Sequence, residues 1–182
     1  MAHGKKPEPN RIRVERVYDA AIEDLWALWT TKDGLEEWFA PEGAQIEVPS
    51  LELRAGGAFE HVMTAVGADQ VAYMAKVGRP LSTRVRGCFV EVVRHERLHM
   101  RMTIDFLPGV EPYPYDILVE FHSEDGRVRM VVTADAHPDA EMTRLAALGL
   151  SSQLRRLDAV LAARSGSAQP VPSSNPNVIG GA

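Results

Sequence analysis

Leu98, Met100, Met102, Ile104 and Phe106 alternate with His99, Arg101, Thr103 and Asp105. A period of two between apolar and polar positions predicts a half-buried antiparallel strand. Related patterns predict strands over residues 12–17, 58–65, 85–94, 115–122 and 127–135. A further strand over residues 45–54 is interrupted by Pro49, which suggests a sheet edge or a bulge. Turn chemistry separates these segments at Gly56-Gly57, at residues 95–97 and 108–114, and at Glu124-Asp125-Gly126, the last a strong hairpin signal.

The remaining periodicity is helical. Residues 21–31, with Asp19 as a candidate cap, bury Ile22, Leu25, Leu28 and Trp29 at offsets of three and four. A shorter helix over residues 35–39 ends before Pro41. A third follows Asp69, carries Val71, Tyr73, Met74 and Val77, and stops at Gly78 and Pro80. The longest helix spans residues 137–164, with Pro138, Asp139 and Glu141 suited to its first turn. Met142, Ala146, Gly149, Leu150, Gln153, Leu157, Val160 and Leu161 share one side of it. Gly149 and Gln153 are misfits on that apolar side. An interior helical glycine costs about 1 kcal/mol against alanine, so Gly149 marks either close backbone packing or a cavity wall.

The order of elements is one strand, two short helices, about six more strands and a long helix. Strands in series with short turns give an antiparallel meander, whose apolar face needs cover. Only the last helix is large enough to provide it. The expected fold is therefore α+β: a curved antiparallel sheet of about seven strands wrapped around a long C-terminal helix, with two short helices after the first strand.

At 182 residues the chain suits a single domain. Polar, proline-bearing segments at residues 1–10 and 165–182 are expected to be disordered tails, which leaves residues 11–164 as the domain. The formal net charge of −5 argues against a nucleic-acid partner gripped by a basic face. No apolar run of about 18 residues predicts a membrane span. The N-terminal residues have no apolar segment typical of a secretory signal. The single cysteine, Cys88, excludes an intrachain disulfide and suits a reducing compartment. The cytoplasm is the expected location.

Four stretches carry a family resemblance: residues 25–30 (LWALWT), 35–41 (LEEWFAP), 53–59 (LRAGGAF), and 87–93 (GCFVEVV) followed by Glu96-Arg97-Leu98. Their order and spacing resemble the SRPBCC superfamily, the helix-grip fold of START domains and pollen-allergen-like proteins. Within it the chain is similar to the family of homologues of the activator of the heat-shock protein 90 ATPase. The segment over residues 67–83 is longer than that pattern, and residues 108–115 are distinctive. Both are placed to cover a cavity mouth.

Few residues carry recognisable chemistry. The six histidines lack ligand spacing: His95 and His99 straddle a strand restart, and zinc normally needs three or four converging ligands. No metal site or cofactor is expected. His61 shares a strand face with Phe59 and Met63, so it becomes a polar group in an apolar cavity if that face is interior. The alternative is a histidine satisfied by a neighbouring strand or water. Glu91 shares a face with Phe89, but both faces of its strand are apolar, and periodicity leaves its direction open. Trp29 and Trp38 suit core packing or a pocket wall, while Tyr73 and Met74 are lid candidates.

The leading expectation is a protein that binds a small hydrophobic or aromatic ligand between sheet and C-terminal helix. Its candidate ligand-binding residues are Trp29, Trp38, Phe59, His61, Tyr73, Met74, Phe89, Glu91, Gly149 and Gln153. The resemblance implies two alternatives. One is an enzyme of the polyketide cyclase/aromatase or hydrolase type, with His61 or Glu91 as base. The other is a co-chaperone-like regulator of the heat-shock protein 90 ATPase, although no long charged or apolar stripe announces such a partner. Dimerisation through a sheet edge stays open.

Overall fold

A computed structural model describes residues 11–166. In chain order the elements are β1 (Arg11–Tyr18), α1 (Ile22–Thr30), α2 (Lys32–Trp38), β2 (Ala44–Leu51), β3 (Ala58–Ala65), α3 (Ala68–Lys76), β4 (Ser82–Val93), β5 (Arg97–Ile104), β6 (Tyr113–Glu124), β7 (Arg127–Asp135) and α4 (Ala140–Gly166). The seven strands form one antiparallel sheet in the order β1-β7-β6-β5-β4-β3-β2. Six consecutive strands pair as a meander, and β1 crosses back to pair with β7. The expected α+β architecture is the observed one, a curled sheet covered by a long C-terminal helix. The two expected tails lie outside the described residues, apart from residues 165 and 166 at the end of α4.

Local sequence explains most of the turns. Asp125 and Gly126 both have positive φ, 50° and 78°, as a two-residue hairpin of type I′ requires. Between α1 and α2 the chain turns tightly: Thr31 Oγ1 accepts a hydrogen bond from the Gly34 N–H at 3.0 Å. A Cβ on Gly34 would lie 2.5 Å from the Ala27 carbonyl oxygen, so only glycine fits there. The β2–β3 register shifts between Glu47 and Ser50. Pro49 thus lies at an irregularity on an edge strand, where its missing N–H is tolerated. Two expected caps are corrected. α1 starts after Ala21 and α3 after Gly67, neither with a side-chain cap bond. Asp19 precedes the first helix, and Asp69 lies within the first turn of the third, where a carboxylate suits the helix dipole.

Packing divides the space between sheet and helices. One part is filled by aromatic side chains from the α1–α2 pair. Trp29 and Trp38 are fully buried and meet edge-on, with ring centroids 4.5 Å apart at 66°. The Trp38 indole N–H donates to the Leu28 carbonyl at 2.9 Å, and Trp29 Nε1 contacts Met130 Sδ at 3.2 Å. Phe89, Leu98, Met100 and Val119 from the sheet, with Leu154 and Leu157 of α4, complete this core. Polar contacts then clamp α4 onto the end of α2. The Arg156 guanidinium donates to the carbonyls of Ala40 and Ala44 at 2.8 and 3.2 Å, and Arg164 bonds Glu37 at 2.6 Å. No described helix is long and apolar enough to cross a membrane.

Candidate functional site

The part of the interior away from the tryptophans is lined at many positions by small side chains. Ala44 and Ala65 come from β2 and β3, Thr83 from β4, Ala134 from β7, and Ala146 and Gly149 from α4. These residues are too small to close the gap between sheet and helix, and a cavity of about 330 Å³ results. Met63, Val85, Met102, Ile104 and Ile117 make its wall apolar on the sheet side, while Gln70 and Met74 of α3 border it from the third helix. Among the described residues, no Asp, Glu, Lys or Arg side chain lines it. Its polar groups are His61, Gln70, Thr83, Tyr115, His137 and Gln153.

Gly149 resolves the first misfit. A Cβ built on it meets no atom within 4 Å, so the glycine faces open space and is not held by a close backbone. Gln153 resolves the second. Its side-chain amide donates to the Phe39 carbonyl, which lies at the C-terminal end of α2. That carbonyl accepts no intrahelical bond beyond the cap, so the amide supplies a missing donor. The Gln153 carbonyl oxygen is left over as an acceptor beside the cavity.

His61 is 4% exposed and lines the same space. Its ring sits 5.7 Å from Phe39 and 5.4 Å from Phe59. Nδ1 is buried without a hydrogen-bond partner among the described residues. Burial lowers its pKa from 6.5 to about 4, because the charged ring would lose hydration without gaining a counter-charge. At neutral pH His61 is an uncharged imidazole with one donor and one acceptor nitrogen.

A second polar group borders the cavity. The Tyr113 hydroxyl and His137 Nδ1 are 2.6 Å apart. Tyr115 stacks on His137 with centroids 4.6 Å apart and an interplanar angle of 13°. Burial, with smaller contributions from Asp135 and Tyr113, pushes the Tyr115 phenol up to about 12. Burial also lowers the pKa of His137. The β-sheet register sets this cluster apart from His61. Phe59, Gly87, Met102 and Tyr115 form one row across β3, β4, β5 and β6, and His61 lies two residues along β3 from that row. Three strand spacings amount to about 14 Å along the sheet.

The other sequence candidates are placed as follows. Met74 lines the cavity, whereas Tyr73, its neighbour on α3, is 46% exposed. Trp29, Trp38, Phe59 and Phe89 are core residues that do not line the cavity, although Phe59 backs His61 and Phe89 backs Phe59 at 5.7 Å. Glu91 points to the outer face. The β4–β5 register shifts between Phe89 and Glu91, so that Phe89 lies opposite Met100 while Glu91 lies opposite His99. The carboxylate pairs with Arg97 at 3.2 Å, both side chains being well exposed. A bulge at Val90 thereby breaks the shared face that simple alternation implies. Tyr115 and His137 were not among the sequence candidates. The signal for Tyr115 was the aromatic loop at residues 108–115, whose last three residues belong to β6.

Among the described residues, no three His, Cys, Asp or Glu side chains group so as to hold a metal ion. The family model for the activator of Hsp90 ATPase homolog 1-like protein matches residues 19–162. The chain belongs to this family. It is thereby a member of the SRPBCC superfamily. Solved structures similar to this family member include a protein from Chromobacterium violaceum, at 22% identity and a TM-score of 0.69, covering 84% of this chain and 96% of that one. Another is an AHSA1 protein from Silicibacter pomeroyi, at 21% identity and a TM-score of 0.66, covering 85% and 99%. A third, from Mycobacterium smegmatis, has 19% identity and a TM-score of 0.64, covering 85% and 92%. At these identities the likeness is one of fold. Among curated proteins, none matches the chain.

Proposed function

We propose that this AHSA1-like protein binds a small hydrophobic molecule in the cavity between the sheet and α4. The observation that carries this reading is the combination of volume and lining. About 330 Å³ of apolar-walled space falls within the roughly 300–1,000 Å³ range of small-molecule pockets, which pair apolar walls with few polar anchors. A close-packed core leaves few voids larger than a water molecule. His61, Met74, Gly149 and Gln153 are the proposed contacts from the sequence candidates, joined by Tyr115 and His137. Phe59 and Phe89 support the His61 wall from behind.

The polar groups favour binding over proton-transfer catalysis. A general acid and base must both lie within about 3 Å of the atoms they serve. His61 and the Tyr115–His137 pair instead stand three strands apart. The chaperone in the family's name offers a third reading, but it draws on no feature of this cavity. A cytoplasmic location, which suits the lone Cys88, accompanies the binding reading.

The test is native mass spectrometry of the protein purified from its own cells, compared with a Gly149→Trp variant. Binding predicts a non-covalent adduct of a few hundred daltons that the bulky side chain removes. An adduct-free wild type that also takes up no member of a neutral aromatic library removes the reading.

A further inference from the structure

The polar chemistry at one end of the cavity narrows the ligand further, on the premise that the cavity binds one. His61 and Gln153 meet around the same residue. The His61 ring packs against the Phe39 ring, and the Gln153 amide bonds the Phe39 carbonyl. One amide N–H is thus engaged, while the amide oxygen accepts no hydrogen bond from the described residues. His61 likewise makes no hydrogen bond to the described residues, and its Nδ1 is fully shielded. With Nδ1 shielded, Nε2 is the ring nitrogen left for a ligand, a donor in one neutral tautomer and an acceptor in the other, and the amide oxygen offers an acceptor. A hydroxyl is complementary to this set, because it donates and accepts at once. It pairs with Nε2 in either tautomer.

Charge is excluded by the same wall. Among the described residues no cationic or anionic side chain lines the cavity, and His61 is held uncharged by its burial. A carboxylate entering this space would lose its hydration with no counter-ion to replace it, a cost far above one hydrogen bond. An ammonium group fares no better.

We infer that the ligand is an uncharged, largely apolar alcohol or phenol, seated with its hydroxyl against His61 and Gln153, and that carboxylates of the same shape are rejected. Three matched probes at neutral pH test this: naphthalene, 2-naphthol and 2-naphthoate. Titration into the full-length protein is followed by the methyl resonances of methionine, and His61→Phe is compared with wild type. A folded variant is verified by its thermal melt, with His61→Leu as the second choice if phenylalanine overfills the site.

One net hydrogen bond corresponds to a gain of roughly three- to tenfold. Wild type should therefore bind 2-naphthol about that much more tightly than naphthalene, and 2-naphthoate more weakly than either. His61→Phe should abolish the advantage of the phenol, bringing the ratio of 2-naphthol to naphthalene affinity to about one. Equal affinity for naphthalene and 2-naphthol overturns the hydroxyl assignment while leaving hydrophobic binding intact. Preferred binding of 2-naphthoate does the same. If none of the three probes binds, the cavity reading itself fails, and this inference with it.

Discussion

Gly149 lies mid-helix on α4, partly buried, with open space where a Cβ would stand. Replacing it by alanine removes the backbone entropy penalty of glycine, worth about 0.8–1.0 kcal/mol in a helix interior. No clash offsets the gain, since no atom lies within 4 Å of the new Cβ. For a domain of this size, 1 kcal/mol moves the melting temperature by about 2–4 °C. Gly149→Ala should therefore melt about 2–4 °C higher than wild type. Gly149→Leu should keep most of that gain, because leucine has nearly the propensity of alanine and its side chain would enter the cavity. The assay is a circular-dichroism melt at neutral pH, without added ligand. Were the space packed, leucine would force neighbours off their rotamers at a cost of about 1–3 kcal/mol. A fall in melting temperature for both variants refutes the open space beneath α4.

Other consequences concern the walls of the cavity. His61 has a folded pKa of about 4 against 6.5 for the free side chain, so the unfolded chain binds the extra proton between those values. Stability is then full above about pH 6.5 and falls as pH drops towards 4, with a total loss of about 3 kcal/mol. His137, also lowered, adds in the same direction. Urea unfolding at pH 4.5 and pH 7 should show a clearly smaller pH dependence for His61→Phe, and an unchanged dependence refutes the neutral buried imidazole. Trp38→Ala should cost about 3–5 kcal/mol, because the ring is fully buried and its N–H holds the Leu28 carbonyl. A denaturation midpoint within experimental error of wild type would contradict that placement. Gln153→Leu should cost about 1–3 kcal/mol, since the Phe39 carbonyl loses its donor inside the fold. Chemical denaturation measures the loss, and a neutral result removes the role of Gln153 as the donor to that carbonyl.

The fold was legible because its determinants are local and repeated. Alternation along residues 98–106 and the Asp125-Gly126 turn specify strand and hairpin without reference to anything distant. Seven strands and a covering helix then leave few arrangements for the sheet. The candidate site was legible only where a residue was anomalous for its own element. Gly149 and Gln153 stood out on an apolar helix face, and His61 on an apolar strand face. All three line the cavity.

Other placements depended on events that no pattern announces. Glu91 and Phe89 are two residues apart, yet one register shift sends them to opposite faces. Trp29 and Trp38 are as suited to a pocket wall as to a core, and only the closure of α1 on α2 decides between them. Tyr73 and Met74 are adjacent on one helix, where about 100° of rotation separates an exposed ring from a cavity wall. Tyr115 and His137 become partners only when β6 and the segment after β7 are brought side by side. Gln153 carries a double character for the same reason: the carbonyl it caps is 114 residues away in sequence.

The methionines provide the most direct test that the space beneath α4 is a binding cavity. Met63, Met74 and Met102 line it, whereas Met100 and Met130 are fully buried in the neighbouring core. Labelling the methionine methyl groups with carbon-13 and titrating 2-naphthol reports on both sets in one spectrum. Binding in the cavity predicts saturable shifts of Met63, Met74 and Met102, with Met100 and Met130 nearly unmoved. Shifts spread evenly over all five methyls, or none at saturating probe, would contradict it.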